Sequence, residues 1–124
     1  MQIARREYGL DSQMLKGLLE GCILSIIWEK EVYGYELSEK LHEAGLTMVK
    51  EGSIYPLLLR MQKNELIVGT MKPSATGPDR KYYRLTAKGE RALQLFDESW
   101  AQLYMAIAYL RRNRDEHQAN DSIE

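Results

Sequence analysis

The most informative part of the chain runs from Glu51 to Leu93 and reads EGSIYPLLLRMQKNELIVGTMKPSATGPDRKYYRLTAKGERAL, because its hydrophobic period changes along the way. Its first part predicts a helix from Glu51 or Gly52 to about Asn64, with one core face formed by Ile54, Leu57, Leu58 and Met61. Two short β-prone runs follow, at 66–71 and 81–85, and the segment KPSATGPDR lies between them. Because that segment is rich in Pro, Gly, Ser and Asp, the pattern predicts a β-hairpin with a long tip.

Two helices are predicted before this stretch. Asp11 and Ser12 are residue types that cap helices, and apolar residues then recur at helical spacing until about Lys30. A second helix is predicted after a short break at 31–32, and Gly45 is suited to end it. The apolar face of this second helix consists of Tyr33, Leu37, Leu41 and Ala44.

One long helix is predicted after the hairpin. Thr86 is placed to cap it, and apolar residues then follow in alternating steps of three and four. We call these residues the C-terminal stripe: Leu93, Phe96, Trp100, Leu103, Ile107 and Leu110. The sequence from Arg111 onward is almost wholly polar, so we expect the helix to end near position 114 and the rest to fray.

Helix, helix, helix, β-hairpin, helix is the element order of a winged helix-turn-helix with one added helix. We therefore expect a mainly α fold with a small β-hairpin, extended by a long C-terminal dimerisation helix. The expected parts are a winged-helix DNA-binding domain over 1–85, with its hairpin wing at about 66–85, a dimerisation helix over 86–114 and a frayed tail over 115–124.

Composition excludes several classes of protein. The chain has 124 residues, 44% of them hydrophobic, with only 3 Pro and 9 Gly, so we expect a globular protein rather than a disordered one. No apolar run approaches the roughly 20 residues of a membrane helix, and the N-terminus lacks a secretion signal, so we expect a cytoplasmic protein without membrane contact. Cys22 alone forms no internal disulfide, and two distant histidines suggest no metal site, so we expect no cofactor.

Charge is unevenly distributed along the chain. The net charge is −1, but the segment from Lys50 to Arg91 holds nine basic and four acidic residues, a balance of +5. A basic middle favours a surface that binds a polyanion. An ordinary solvated face would give the same count, so charge alone leaves both interpretations open.

The third predicted helix is the one that a winged helix-turn-helix inserts into the major groove of DNA. Once its core face is assigned, the side chains left to face outward suit phosphates and base edges, and they are Ser53, Tyr55, Arg60 and Lys63. Lys50 and Gly52 stand at its start, where free N–H groups favour a phosphate.

Pro56 lies inside this helix and conflicts sterically with the carbonyl of Gly52, four residues earlier. We therefore expect a loosened or tightened first turn that displays Tyr55. The alternative is that Pro56 is only a helix-start signal.

On the wing, a period of two sends Arg80, Tyr82 and Arg84 to one face and Lys81, Tyr83 and Leu85 to the other. A cationic and aromatic strand suits a phosphate backbone, and Arg80 and Lys81 are the predicted wing contacts. The alternative is that the tyrosines cover the core and the cations only increase solubility.

Three strings carry a specific resemblance: YGYEL (33–37), EGSIYPLLLRMQKNELI (51–67) and GPDRKYYRLTAKGERAL (77–93). In order and spacing they resemble the signature of PadR-like transcriptional regulators, across about half of the chain. The C-terminal part resembles the short branch of that family, which has a single long helix there. The resemblance implies a winged-helix repressor that binds an inverted repeat of double-stranded DNA as a homodimer, joined through the C-terminal helix. It also implies that some relatives release DNA on binding small aromatic compounds.

Matched by position, the resemblance places Tyr35, Ser53, Tyr55, Arg80 and Lys81 near DNA. Gly52 and Pro56 match positions that shape the backbone. Two departures stand out. Asp79 lies in the wing turn, where its carboxylate would repel a phosphate, and Thr70 with Met71 stand where relatives often carry Trp.

The C-terminal stripe has two possible partners, its own domain or a second copy of the chain. A domain this small has little core to offer so long a helix, which favours a homodimer through the stripe, together with the first helix. Trp100 and Tyr104 form an aromatic patch along the stripe, and a flat aromatic effector is one candidate occupant. Plain packing of Trp100 is the other interpretation.

Two other functions compete with DNA binding. An enzyme is disfavoured because the chain has no Gly-rich phosphate loop, no Ser-centred elbow and no Cys–His pair with an orienting acid. A winged-helix module that binds an acidic protein, without sequence-specific DNA binding, remains the alternative to a DNA-binding regulator.

Overall fold

The computed structural model describes residues 12–123, so the predicted cap Asp11 lies outside the described residues. Seven elements follow in order: α1 (Ser12–Glu29), β1 (Val32–Tyr33), α2 (Gly34–Glu43), α3 (Glu51–Lys63), β2 (Ile67–Ser74), β3 (Gly77–Leu85) and α4 (Ala87–Ile123). This confirms the prediction of a mainly helical winged fold with a small sheet and a long C-terminal helix.

The core lies between the first three helices and the sheet. Each element contributes apolar side chains with almost no exposed surface, and the largest are Ile23, Val32, Leu37, Leu41, Ile54, Leu58 and Met61. Burial of each such side chain stabilises the fold by roughly 1.5–3 kcal/mol. On α3, Ile54, Leu58 and Met61 are buried as predicted, whereas Leu57 is only half-buried.

The sheet has three strands in the order β1-β3-β2, all antiparallel. The first strand corrects the sequence analysis, which treated 31–32 as a break and Tyr33 as part of a helix face. Val32 pairs with Tyr83 and Tyr33 pairs with Tyr82, and α2 begins only at Gly34. A strand of two residues is too short to show an alternating pattern, and it forms because β3 offers it a partner.

The wing spans nearly the predicted residues, but its two strands are longer and its tip is shorter than predicted. Ser74 pairs with Gly77, so only two residues separate the strands, and the expected long tip is wrong. Pro73 lies in a register irregularity between Lys72 and Ser74. Since β2 is an edge strand, the missing N–H of this proline is tolerated there.

The first turn of α3 is tightened. Lys50 is the extended N-cap, and the N–H of Ser53 donates to the carbonyl of Lys50 at 2.9 Å, a bond between residues three apart. Pro56 lies inside the helix, and Tyr55 beside it is 58% exposed. The predicted display of Tyr55 by an altered first turn is confirmed.

A junction joins the base of the wing to the start of α4. Thr86 donates its N–H to the carbonyl of Leu66 (3.1 Å) and its hydroxyl to the carbonyl of Glu65 (2.6 Å), and Glu65 has a positive φ of 61°. The N–H of Gly89 donates to the Thr86 hydroxyl oxygen at 3.0 Å, which confirms the predicted cap. Gly89 lies against Leu66, where a Cβ atom would overlap the carbonyl oxygen.

The chain forms two compact units, one up to Leu93 and one from Gln94 on. α4 continues to Ile123, so the predicted helix end near 114 is wrong. The polar segment after Arg111 contains neither Gly nor Pro, and polarity alone does not end a helix. Within residues 12–123, no helix is long and apolar enough to cross a membrane.

Candidate nucleic-acid interface

A groove with a volume of about 480 Å³ lies where α2 and α3 begin beside β3. Tyrosines line much of it, at positions 33, 35, 55 and 83, and we call it the tyrosine groove. Ile54 and Leu58 of the core and the cations Arg80 and Lys81 also line it. The groove therefore combines an aromatic wall with positive charge.

Five of the predicted DNA-binding residues line this one groove although they are far apart in the sequence. They are Tyr35, Gly52, Tyr55, Arg80 and Lys81. Tyr35 and Tyr55 are both more than half exposed, so their side chains are open to a large partner. Glu51 is the acidic residue that lines the groove with them.

The other predicted residues lie elsewhere on α3. Ser53 and Arg60 line a second cleft of about 400 Å³, together with Leu15 and Leu19 of α1. The guanidinium of Arg60 lies 3.6 Å from the carboxylate of Glu20, and both side chains are exposed. An ion pair at such a site contributes at most about 1 kcal/mol, so Arg60 remains able to exchange partners.

Two exposed lysines bracket α3. Lys50 is its N-cap and Lys63 its last residue. Lys50 therefore lies at the same end of α3 as the tyrosine groove, and Lys63 lies at the opposite end.

Arg80 rests on an aromatic face. Its guanidinium carbon lies 4.5 Å from the centre of the Tyr33 ring, a cation–π distance. The Tyr33 ring in turn meets Tyr82 edge to face, with centroids 5.3 Å apart and an interplanar angle of 63°. Sequence reasoning missed Tyr33 because it was assigned to a helix face, although Glu36 gave a signal: its carboxylate accepts the Tyr33 N–H at 3.2 Å.

Lys81 lies on the face of β3 opposite to Arg80. Its ammonium lies 3.3 Å from the side-chain oxygen of Gln62 on α3 and 5.8 Å from the centre of the Tyr83 ring. Its aliphatic part crosses Gly69 of β2 so closely that a Cβ there would overlap it. Lys81 thus fills space between the wing and α3 while its charge stays at the groove.

The two neighbouring tyrosines of β3 have different environments. Tyr83 is buried, and desolvation, followed by the nearby Tyr55, raises the pKa of its hydroxyl above the ordinary value of 10.0. Tyr82 is half-buried on the opposite face with Tyr33. The alternative in which tyrosines cover the core therefore holds for Tyr83.

Lys72 of β2 lies on the face of the sheet that carries Tyr33 and Tyr82, which we call the outer face. Its ammonium forms an ion pair with Glu31 and lies 5.2 Å from the centre of the Tyr82 ring. In the register, Lys72 stands opposite Arg80. Both of these adjacent cations lie over tyrosine rings, and of the two only Lys72 is paired with a carboxylate within residues 12–123.

A family model described as the transcriptional regulator PadR-like family matches residues 23–95, which is more than half of the chain. The chain belongs to the PadR-like family. This confirms the resemblance carried by the three strings at 33–37, 51–67 and 77–93. It also supports the prediction that the protein is not an enzyme, since PadR-like proteins are transcriptional regulators.

Solved structures agree with this assignment. A PadR-like regulator from Bacillus cereus is 61% identical with a TM-score of 0.74, covering 80% of this chain and 96% of its own. A transcriptional regulator from Streptococcus is 46% identical with a TM-score of 0.75, covering 82% of this chain and 99% of its own. PadR from Bacillus subtilis, solved in complex with operator DNA, is 26% identical with a TM-score of 0.57, covering 62% of this chain and 44% of its own.

In this PadR-like chain, the predicted C-terminal stripe divides by exposure. Leu93 is buried within the single chain and Phe96 is half-buried. The remaining four members are exposed by 44–63%, and they are Trp100, Leu103, Ile107 and Leu110. The rings of Trp100 and Tyr104 lie 6.2 Å apart at a tilt of 51°. The predicted ligand residues are therefore neighbours, next to an uncovered apolar stripe.

Proposed function

We propose that this PadR-like chain is a sequence-specific DNA-binding regulator whose tyrosine groove lies against the duplex. One observation carries the proposal: Arg80, Lys81, Tyr35 and Tyr55 come from three elements and meet at the start of α3. A phosphate backbone fits a cationic rim of this kind, and tyrosine hydroxyls are hydrogen-bonding partners for phosphates and base edges. The complex of Bacillus subtilis PadR with operator DNA supports the proposal from a relative with the same fold.

In this proposal α3 enters the major groove. Lys50 and Gly52 lie at its N-terminus, where free N–H groups and the helix dipole attract a phosphate. Ser53 and Tyr55 follow on the exposed first turns and are proposed to read base edges. Arg60 and Lys63 are proposed to contact flanking phosphates, as are Arg80 and Lys81 from the wing.

The same proposal includes a homodimer formed through the C-terminal stripe. Trp100, Leu103, Ile107 and Leu110 follow heptad spacing on one side of α4, and their exposure in the single chain leaves apolar surface that a second copy would cover. Two-fold symmetry would separate two α3 helices by about one DNA turn, roughly 34 Å, and would match an inverted repeat. We expect such a cytoplasmic dimer to act as a repressor when its operator overlaps a promoter.

We also propose that a small aromatic effector binds at Trp100 and Tyr104. The adjacent rings would offer stacking surface to a flat molecule, and the dimer would enclose it. Titration of the dimer with a panel of aromatic compounds tests this part. A bound effector should shift tryptophan fluorescence and weaken DNA binding, whereas no change in either across the panel contradicts it.

DNA binding itself is tested by the fluorescence anisotropy of a labelled mixed-sequence duplex of about 30 base pairs at increasing salt. Arg80→Ala or Lys81→Ala should weaken binding to every sequence and lower the salt slope by about 1 each. Lys40→Ala is the matched control, because Lys40 pairs with Glu43 on α2 and does not line the tyrosine groove. Equal effects of all three variants would contradict the proposed surface.

Reading of sequence is tested separately. Ser53→Ala and Tyr55→Ala should change the preference among duplexes while leaving the salt slope close to that of the wild type. Identical behaviour of these variants and the wing variants would refute the division of roles between α3 and the wing.

A further inference from the structure

The structure assigns to Tyr33 a positioning role in DNA binding: its ring holds Arg80 at the rim of the tyrosine groove, with the guanidinium ready to meet a phosphate. This inference rests on the proposed function of the groove. Tyr33 itself need not contact DNA, because it acts through Arg80.

The Tyr33 ring is fixed from several sides. Its backbone pairs with Tyr82 across β1 and β3, and its N–H donates to Glu36 in the first turn of α2. Its ring meets the Tyr82 ring edge to face at 5.3 Å. Backbone and ring contacts thus hold Tyr33 at the point where β1 ends and α2 begins.

The position of Arg80 over the Tyr33 ring suits its proposed task. A guanidinium is planar and carries its five N–H donors in that plane, so a ring against one face leaves the edges free for a bidentate phosphate contact. At 4.5 Å the Tyr33 ring is close enough to restrict the long side chain before DNA arrives. A side chain ordered in advance loses less conformational freedom on binding.

Lys72 on the neighbouring strand provides the contrast. It stands opposite Arg80 in the register, but its ammonium pairs with Glu31. Among residues 12–123, no carboxylate forms an ion pair with Arg80. Both cations lie over tyrosine rings of this face, but only Lys72 also pairs with a carboxylate, so the charge of Arg80 is left unneutralised.

A double-mutant cycle tests the inference with the labelled mixed-sequence duplex as probe. Tyr33→Phe keeps the aromatic face and should bind DNA within about twofold of the wild type. Tyr33→Leu removes that face and should weaken binding about threefold to tenfold. In an Arg80→Ala background the same Tyr33→Leu change should have almost no further effect, because the side chain that Tyr33 positions is gone.

A merely structural role for Tyr33 predicts a different pattern. Tyr33→Leu would then weaken binding equally with or without Arg80, and that additivity would overturn the inference. Thermal unfolding of each variant shows whether the fold is retained, and Tyr33→Met replaces Tyr33→Leu if the latter does not fold. In NMR spectra of the free protein, the Arg80 side-chain protons should show a ring-current shift that persists in Tyr33→Phe and disappears in the aliphatic variant.

The outcomes also separate this inference from the proposed function. Absence of duplex binding by the folded wild type would overturn both. Wild-type binding that Tyr33→Leu leaves unchanged, or an absent ring-current shift, would overturn the positioning role alone.

Discussion

Gly89 is the residue whose substitution tests the junction between the wing and α4 most sharply. It lies in the first turn of α4, and a Cβ at this position would overlap the carbonyl oxygen of Leu66 and lie 3.0 Å from its carbonyl carbon. Both of these are backbone atoms, which cannot rotate away. Gly89→Ala must therefore move the start of α4 away from the base of the wing.

The expected cost follows from the bonds at this junction. The N–H and the hydroxyl of Thr86 donate to the carbonyls of Leu66 and Glu65, and the N–H of Gly89 donates to Thr86. The bond from Gly89 to Thr86 lies within the first turn of α4 and moves with it, so the bonds lost are the two from Thr86 to the wing. At about 1 kcal/mol each, their loss lowers the free energy of unfolding by about 2 kcal/mol. Alanine regains up to about 1 kcal/mol by its higher helix propensity. The net destabilisation should be about 1 kcal/mol.

Gly17→Ala is the matched control, because Gly17 is an exposed residue inside α1 and, outside the backbone of its own helix, no atom of residues 12–123 lies within 4 Å of an added Cβ. It should raise the free energy of unfolding by up to about 1 kcal/mol, the opposite sign. Urea unfolding followed by circular dichroism measures both variants, at one protein concentration so that any dimerisation contributes equally. A stabilised Gly89→Ala protein would refute the described packing of α4 on the wing.

Three further predictions concern the outer sheet face, the stripe and Tyr83. Glu31→Gln should free Lys72 for a phosphate, so the duplex should bind more tightly with a salt slope steeper by about 0.9, and an unchanged slope counts against the ion pair. Trp100→Ala should weaken the dimer in sedimentation at low micromolar concentration, whereas Tyr109→Ala, on the other side of α4, should not; equal effects would remove Trp100 from the interface. Burial raises the pKa of Tyr83 in the folded state, so the free energy of unfolding should fall as pH rises above about 10. Tyr83→Phe should reduce that fall in urea unfolding between about pH 9 and 11, and an identical decline would contradict this cause.

The sequence was most informative where an apolar period covered a whole core face or followed a capping residue. Ile54, Leu58 and Met61 repeat over a full core face of α3, and their burial confirms the face that spacing predicted. Thr86 precedes a long apolar period and caps α4 as expected. In both cases local preference and tertiary packing favour the same structure.

Prediction failed where structure depends on a distant partner. The two residues of β1 form a strand only because β3 lies beside them, and that pairing changes Tyr33 from a helix residue into the platform for Arg80. Likewise, Pro73 suggested a loop, but an irregular edge strand accommodates it. Neither partner could be identified from local spacing.

The sequence predicted which residues belong to the candidate site, but it did not predict which of them lie together. Five of the predicted DNA-binding residues meet in the tyrosine groove, whereas Ser53 and Arg60 line a different cleft with α1. Helical spacing identified which residues avoid the core. It did not distinguish the two sides of α3, because that depends on how α1 and β3 flank the helix.

Sequence-specific DNA binding by this chain is tested by selection of binding sites from random duplexes at about physiological salt. We expect enrichment of an inverted repeat with half-sites about one helical turn apart, and loss of that enrichment with Arg80→Ala. No enrichment by a folded wild-type dimer would contradict sequence-specific binding and would favour a winged helix that binds another protein.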